Sequence, residues 1–141
     1  MKLEFDKNLT YQRQAIDSVV DIFKGQSLKN TLFTVSNINA GTRETNLGIG
    51  NYLELTEDVI LKNVQEIQER NRLPRSDYLD GMNFTVEMET GTGKTYVYLR
   101  TIYELNEKYG FKKFIIVVPS VAIREGVYKT LQITEDHFKD I

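Results

Sequence analysis

The chain of 141 residues has no cysteine, which excludes disulfide frameworks and thiolate-metal sites and fits a reducing cytoplasm. Its single histidine, His137, has no second histidine or cysteine to share a zinc ion with. No apolar run approaches the roughly 18 residues of a membrane span, and "MKLEFDKNLTYQ" lacks the apolar core of a signal peptide. Nor is there an excess of one charge. Eighteen basic residues face twenty acidic ones, for a net charge of −2, so any contact with a phosphate backbone must be local. What remains, 40% hydrophobic and 27% charged, is the balance of one ordinary soluble domain.

Three stretches can be told apart. In 1–25, Ala15, Ile16, Val19, Val20 and Phe23 recur at helical spacing, and Gly25 stands where a C-terminal cap belongs. In 26–83, a Gly/Asn/Thr-rich centre separates candidate strands near Leu32–Ser36 and Tyr52–Leu55, the pattern of a β-hairpin or long loop. The Gly-Ile-Gly at 48–50 reads as flexible loop. Thr56 is placed to cap a helix carrying the stripe Ile60, Val64, Ile67, and the polar "ERNRLPRSDYLDG" follows as a solvated surface connection.

From residue 84 the pattern alternates. "FTVEM" reads as a short strand and "KTYVYLRTIYELNEKYG" as a helix closed by Gly110. "KFIIVVP" reads as a strand buried on both faces, and "VAIREGVYKTLQI" returns to helical spacing. Strand, helix, strand, helix is the βαβ unit of a parallel sheet.

The junction of the first strand and helix, "TGTGKT", carries the chemistry. A loop that wraps a phosphate chain must turn successive backbone N–H groups inward, and Cβ atoms obstruct that turn. Gly91 and Gly93 remove the obstruction. A helix starting near Lys94 aims its free N–H groups and positive end at the same anion. The Lys94 ammonium then reaches the β- and γ-phosphates, and the Thr95 hydroxyl takes a position on Mg²⁺. The general pattern G-x-x-x-x-G-K-S/T has a glycine six positions before the lysine; here Met88 stands there. Glu87 and Glu89 beside it read as strand-edge carboxylates, and Tyr96, Tyr98 and Tyr103 as packing on the helix.

"METGTGKT" resembles the first motif of superfamily 2 helicases and translocases. From "LTYQRQAI" onward, and most specifically through "IIVVPSVAIREGV", the chain resembles the Res subunit of type III restriction–modification enzymes. The resemblance implies an α/β P-loop NTPase (RecA-like) parallel-sheet lobe, incomplete, with an N-terminal adenine-recognition helix over 1–25, a hairpin and helix insertion over 26–83, and a P-loop βαβα unit over 84–141. It implies ATP and Mg²⁺ held by Gln12, Thr90, Gly91, Thr92, Gly93, Lys94 and Thr95, with Lys94 and Thr95 in the catalytic role. Gln12 would read the adenine edge, since an amide offers both a donor and an acceptor. Ser120 and Arg124 would touch the DNA backbone without reading sequence; a surface ion pair is the other reading of Arg124. The implied partners are DNA and the modification methyltransferase subunit.

Hydrolysis in such motors also needs an acidic pair after a later strand and arginines from a second lobe. Glu135-Asp136 follows no apolar strand. The chain is therefore expected to be an N-terminal piece of a larger cytoplasmic protein that couples ATP hydrolysis to DNA movement and cleavage. By itself it is expected to bind nucleotide at best. A different superfamily 2 helicase and a non-catalytic interaction fragment are the alternatives, with a small-molecule kinase behind them.

Overall fold

A computed structural model describes residues 9–28, 51 and 53–139, with side chains through 135. The elements in order are α1 (Thr10–Val20), a 3-10 turn (Asp21–Phe23), α2 (Glu57–Arg70), α3 (Lys94–Tyr109) and α4 (Val121–Lys139). Each helix covers the apolar stripe that pointed to it, but α1 tightens into the 3-10 turn before Phe23, and α4 runs on past Ile133 to Lys139. Gly25 and Gly110 follow their helices at φ +97° and +71°, the left-handed backbone that glycine adopts without a Cβ penalty. Thr56 is the N-cap of α2, but its side chain makes no capping bond; its carbonyl accepts from the Ile60 N–H at 3.1 Å.

The expected parallel-sheet lobe is not what the structure shows. Among the described residues there are four helices and no strand, so the α/β reading is corrected to an all-helical arrangement. The segments 84–88 and 113–119, and residues 53–55, carry no ladder. A strand exists through bonds to a neighbouring strand, and β-branched composition reports only a fit to a pleated, covered surface. Here no described segment supplies that neighbour. Ile115 and Val117 are accordingly 90% and 88% exposed. The candidate strand Leu32–Ser36 and the Gly-Ile-Gly at 48–50 lie outside the described residues, as does the side chain of His137.

The core lies between α1 and α3. Ala15, Ile16 and Val20 of α1 meet Val97 and Leu105 of α3 and Phe111 just beyond it, with Met88 and Phe114 packed at the margin. Phe23 closes the far end edge-on to Phe111, ring centroids 5.2 Å apart, and the Tyr109 hydroxyl donates to the Val20 carbonyl at 3.1 Å. On the other side α2 covers the 3-10 turn. The buried Asn63 amide donates to the carbonyls of Ile22 and Lys24, both at 2.9 Å, which satisfies the end of the 3-10 turn. A smaller cluster, Tyr96 and Leu99 with Tyr98 and Leu131, holds α4 to α3.

Candidate nucleotide-binding site

The loop before α3 takes the backbone shape its sequence requires. Gly91 and Gly93 sit at φ +80° and +83°, and Gly93 is the N-cap of α3. The first helical bond runs from the Val97 N–H to the Gly93 carbonyl at 3.1 Å, so the Lys94 and Thr95 N–H groups ahead of it have no acceptor within the helix. At Gly91 a Cβ would meet nothing within 4 Å, so only its φ calls for glycine. Gly93 is constrained twice, because a Cβ there would lie 2.5 Å from Gln12 Nε2.

That contact joins two motifs distant in sequence. Gln12, buried at the third residue of α1, donates from Nε2 to the Thr92 carbonyl at 2.8 Å, across 80 positions. Thr92 Oγ1 donates to the Glu89 carbonyl at 2.7 Å. The Lys94 ammonium folds back into its own loop and donates to the carbonyls of Met88 (2.9 Å) and Glu89 (2.7 Å). The side chain of Met88 packs on the main core, which explains an apolar residue at the position of the usual leading glycine. Thr95 is half-buried in the first turn of α3, and Thr90 is exposed.

An open cleft of about 1340 Å³ reaches the loop between α1, the 73–80 connection and 83–88. Tyr11 and Gln14 line it, with Glu89 to Thr92 at one end; Gln12, Gly93, Lys94 and Thr95 do not. The described residues hold no acidic or histidine cluster suited to a metal ion. Glu87 and Glu89 are exposed, and Tyr96 is buried packing beside an exposed Tyr103.

Ser120 and Arg124 lie elsewhere, at the start of α4. The Ser120 hydroxyl accepts from the Ile123 N–H at 3.3 Å and its carbonyl from the Arg124 N–H at 3.0 Å, which is an N-cap. Arg124 pairs with Glu125 at 3.0 Å, both side chains mostly exposed. α2 runs through Glu69 and Arg70, which the sequence pattern places in the surface connection; Arg70 bonds Asp21 at 2.8 Å and Arg75 bonds Glu69 at 3.0 Å, so both guanidinium groups are already engaged.

Sequence reasoning missed an ionic cluster between α1 and α3. Glu104 of α3, 4% exposed, accepts both terminal nitrogens of Arg13 and the Arg100 Nε at 3.0 Å, with Lys108 at 3.5 Å. Arg13 also grips Asp17, at 2.6 and 3.1 Å. Burial pushes the Glu104 carboxyl up; the hydrogen bonds and charges of Arg13 and Arg100 outweigh it and hold the group below its usual value of 4.5. The Arg13 guanidinium is raised above its usual range, chiefly by its bond to Glu104. The signal was an arginine next to Gln12, but its partner 91 positions away is invisible without the fold.

The family model for the Type III restriction enzyme, res subunit, matches residues 7–140. The chain belongs to that family. It is 35% identical over 146 residues to the Type III restriction-modification enzyme EcoPI Res subunit of Escherichia phage P1, and 33% identical over 142 residues to the EcoP15I Res subunit of Escherichia coli. Each alignment covers 96% of this chain and 14% of the relative. The StyLTI Res subunit of Salmonella typhimurium is 51% identical over 70 residues, 48% of this chain and 7% of the relative. This Res-family chain thus spans a small part of the length of the curated relatives it matches. No helix among its described residues is long and apolar enough to cross a membrane.

Proposed function

We propose that this Res-family chain binds Mg·ATP through Thr90–Thr95 and Gln12, as part of a subunit that couples ATP hydrolysis to movement along DNA and to its cleavage, in complex with a modification subunit. The observation that carries this reading is the Gln12–Thr92 bond, which brings the residue suited to an adenine edge against the loop suited to phosphates. The stretches 1–25, 26–83 and 84–141 then serve base recognition, connection and phosphate binding. Ser120 and Arg124 are assigned to the DNA backbone, which requires Arg124 to exchange Glu125 for a phosphate.

The residues present fit the nucleotide. Gly91 opens on clear space, the Lys94 and Thr95 N–H groups at the start of α3 have no acceptor within the helix, and the Thr95 hydroxyl is a hard oxygen of the kind Mg²⁺ accepts. Bound Mg²⁺ would supply charge neutralisation at the phosphates. Lys94 now rests on two neutral carbonyls. Its ammonium gains by moving to an anionic oxygen, because charge-assisted bonds are roughly twice as strong as neutral ones. The loop therefore stands closed on its own lysine, and binding is an exchange of acceptors.

Lys94→Ala tests this directly. Removing the ammonium is expected to weaken Mg·ATP binding by roughly 1.5–3 kcal/mol, about tenfold or more, in a calorimetric titration. Equal affinity in both forms would show that the loop is not a phosphate site.

A further inference from the structure

The α1–α3 interface has an apolar part and a polar part, and they do different things. Ala15, Ile16 and Val20 against Val97, Leu105 and Phe111 drive the two helices together, but burial of apolar surface is non-directional. Such an interface tolerates small rotations and slides. Three polar contacts do not: the Tyr109 hydroxyl holds the Val20 carbonyl at the end away from the loop, and two others lie nearer to it. Gln12 reaches the Thr92 carbonyl just ahead of α3, and the next residue, Arg13, clamps Glu104, ten residues into α3. At 1.5 Å per residue the ten residues from Lys94, where α3 begins, to Glu104 span about 15 Å along its axis.

We infer that the Arg13–Glu104 clamp is a positioning device that fixes the orientation of α1 on α3, and thereby sets Gln12 over the phosphate loop for discrimination among bases. This rests on the proposed adenine-reading role of Gln12. Neither Arg13 nor Glu104 touches the nucleotide in this scheme; both act through Gln12.

The geometry of the clamp suits that task better than it suits general stabilisation. Arg13 binds two carboxylates at once, Asp17 on its own helix and Glu104 on the other, so its planar fork is held in one pose. Glu104 is restrained in turn by Arg100 from one turn earlier and Lys108 from one turn later. A carboxylate at 4% exposure needs several partners to offset its desolvation, so its net stabilisation is small. The best-attested use of such buried ionic groups is to fix register. Gln12 depends on register acutely, since its Nε2 already lies where a Cβ on Gly93 would be in collision. A shift of an ångström either breaks the bond to Thr92 or drives the amide into the loop.

The test compares nucleotides rather than stabilities. The 141-residue wild type, Gln12→Ala, Glu104→Gln and Arg13→Lys are titrated with Mg·ATP, Mg·ITP and inorganic tripolyphosphate. ITP replaces the exocyclic amine of adenine with an oxygen, whereas tripolyphosphate reports the loop alone. Wild type is expected to prefer ATP over ITP by about three- to tenfold, the worth of one or two hydrogen bonds. Gln12→Ala should erase the preference. Glu104→Gln should erase most of it and Arg13→Lys part of it, with tripolyphosphate affinity unchanged in both. A merely structural clamp would lower the melting temperature and leave the ATP/ITP ratio intact, and that result in a folded variant overturns the inference. If Glu104→Gln fails to fold, Arg13→Lys, which keeps a cation opposite Glu104, decides by the same ratio. A wild type that binds tripolyphosphate but ignores the base would remove the adenine role of Gln12 and the clamp's role with it. Loss of positioning alone shows as an intact wild-type preference that the clamp variants share.

Discussion

Ile16 and Ile115 are the same residue in opposite circumstances. The first, on α1, is 2% exposed; the second, in a run of four apolar β-branched residues, is 90% exposed. The sequence around Ile115 is the more hydrophobic of the two, yet it is the one left in solvent. Burial follows from a facing element, not from local composition. α1 finds α3 within the described residues, while 115–117 finds nothing. The comparison can be broken by truncation. Ile16→Ala should destabilise by about 2–5 kcal/mol, the cost of a lost side chain plus a cavity. Ile115→Ala should fall within about 0.5 kcal/mol of wild type. Denaturant melts followed by circular dichroism measure both, and a large effect at Ile115 would mean that its segment is covered in solution.

The same contrast explains how much of the molecule was legible in its sequence. Helices were, because each carries its own hydrogen bonds and a stripe such as Ile60, Val64, Ile67 repeats at helical spacing. The need for glycine at 91 and 93 was legible because it is local, although the left-handed φ that imposes it came only with the structure. Strands were not, because a strand is a statement about two segments and only one was being read. The Arg13–Glu104 clamp escaped for the same reason. Lys94 escaped differently: its place in the pattern was plain, but its present acceptors, the carbonyls of Met88 and Glu89, depend on the loop's closed shape.

The loop itself offers a sharper, smaller comparison. Gly91 and Gly93 share a positive φ, so alanine at either should incur about 1–2 kcal/mol of backbone strain. Only Gly93→Ala adds a collision with Gln12 Nε2 and the loss of its bond to Thr92. Gly93→Ala should therefore cost about 1 kcal/mol more than Gly91→Ala in melts of the free protein. A Gln12→Ala background should bring the two costs together, since the obstructing amide is gone. Equal costs in the original background would mean that Gln12 does not rest on the loop.

The smallest effect expected concerns protonation of Glu104, and it separates the polar from the apolar half of the α1–α3 interface. Its carboxyl titrates lower in the folded chain than the ordinary 4.5 of the unfolded one, because Arg13 and Arg100 outweigh the burial that opposes ionisation. The unfolded state thus binds this proton more readily. The group's contribution to stability is fully present above about pH 4.5 and is lost as pH falls through the lower, folded value. The other charges facing it are Lys108 on the same helix and Asp17 across from it on α1, beside Arg13. Protonated Glu104 still accepts hydrogen bonds, so the loss should be modest compared with truncating Ile16. In Glu104→Gln, which is already neutral, the decline in melting temperature below pH 4.5 should be shallower than in wild type. Parallel declines would mean that acid acts on other carboxylates and that the clamp's charge is immaterial to the fold.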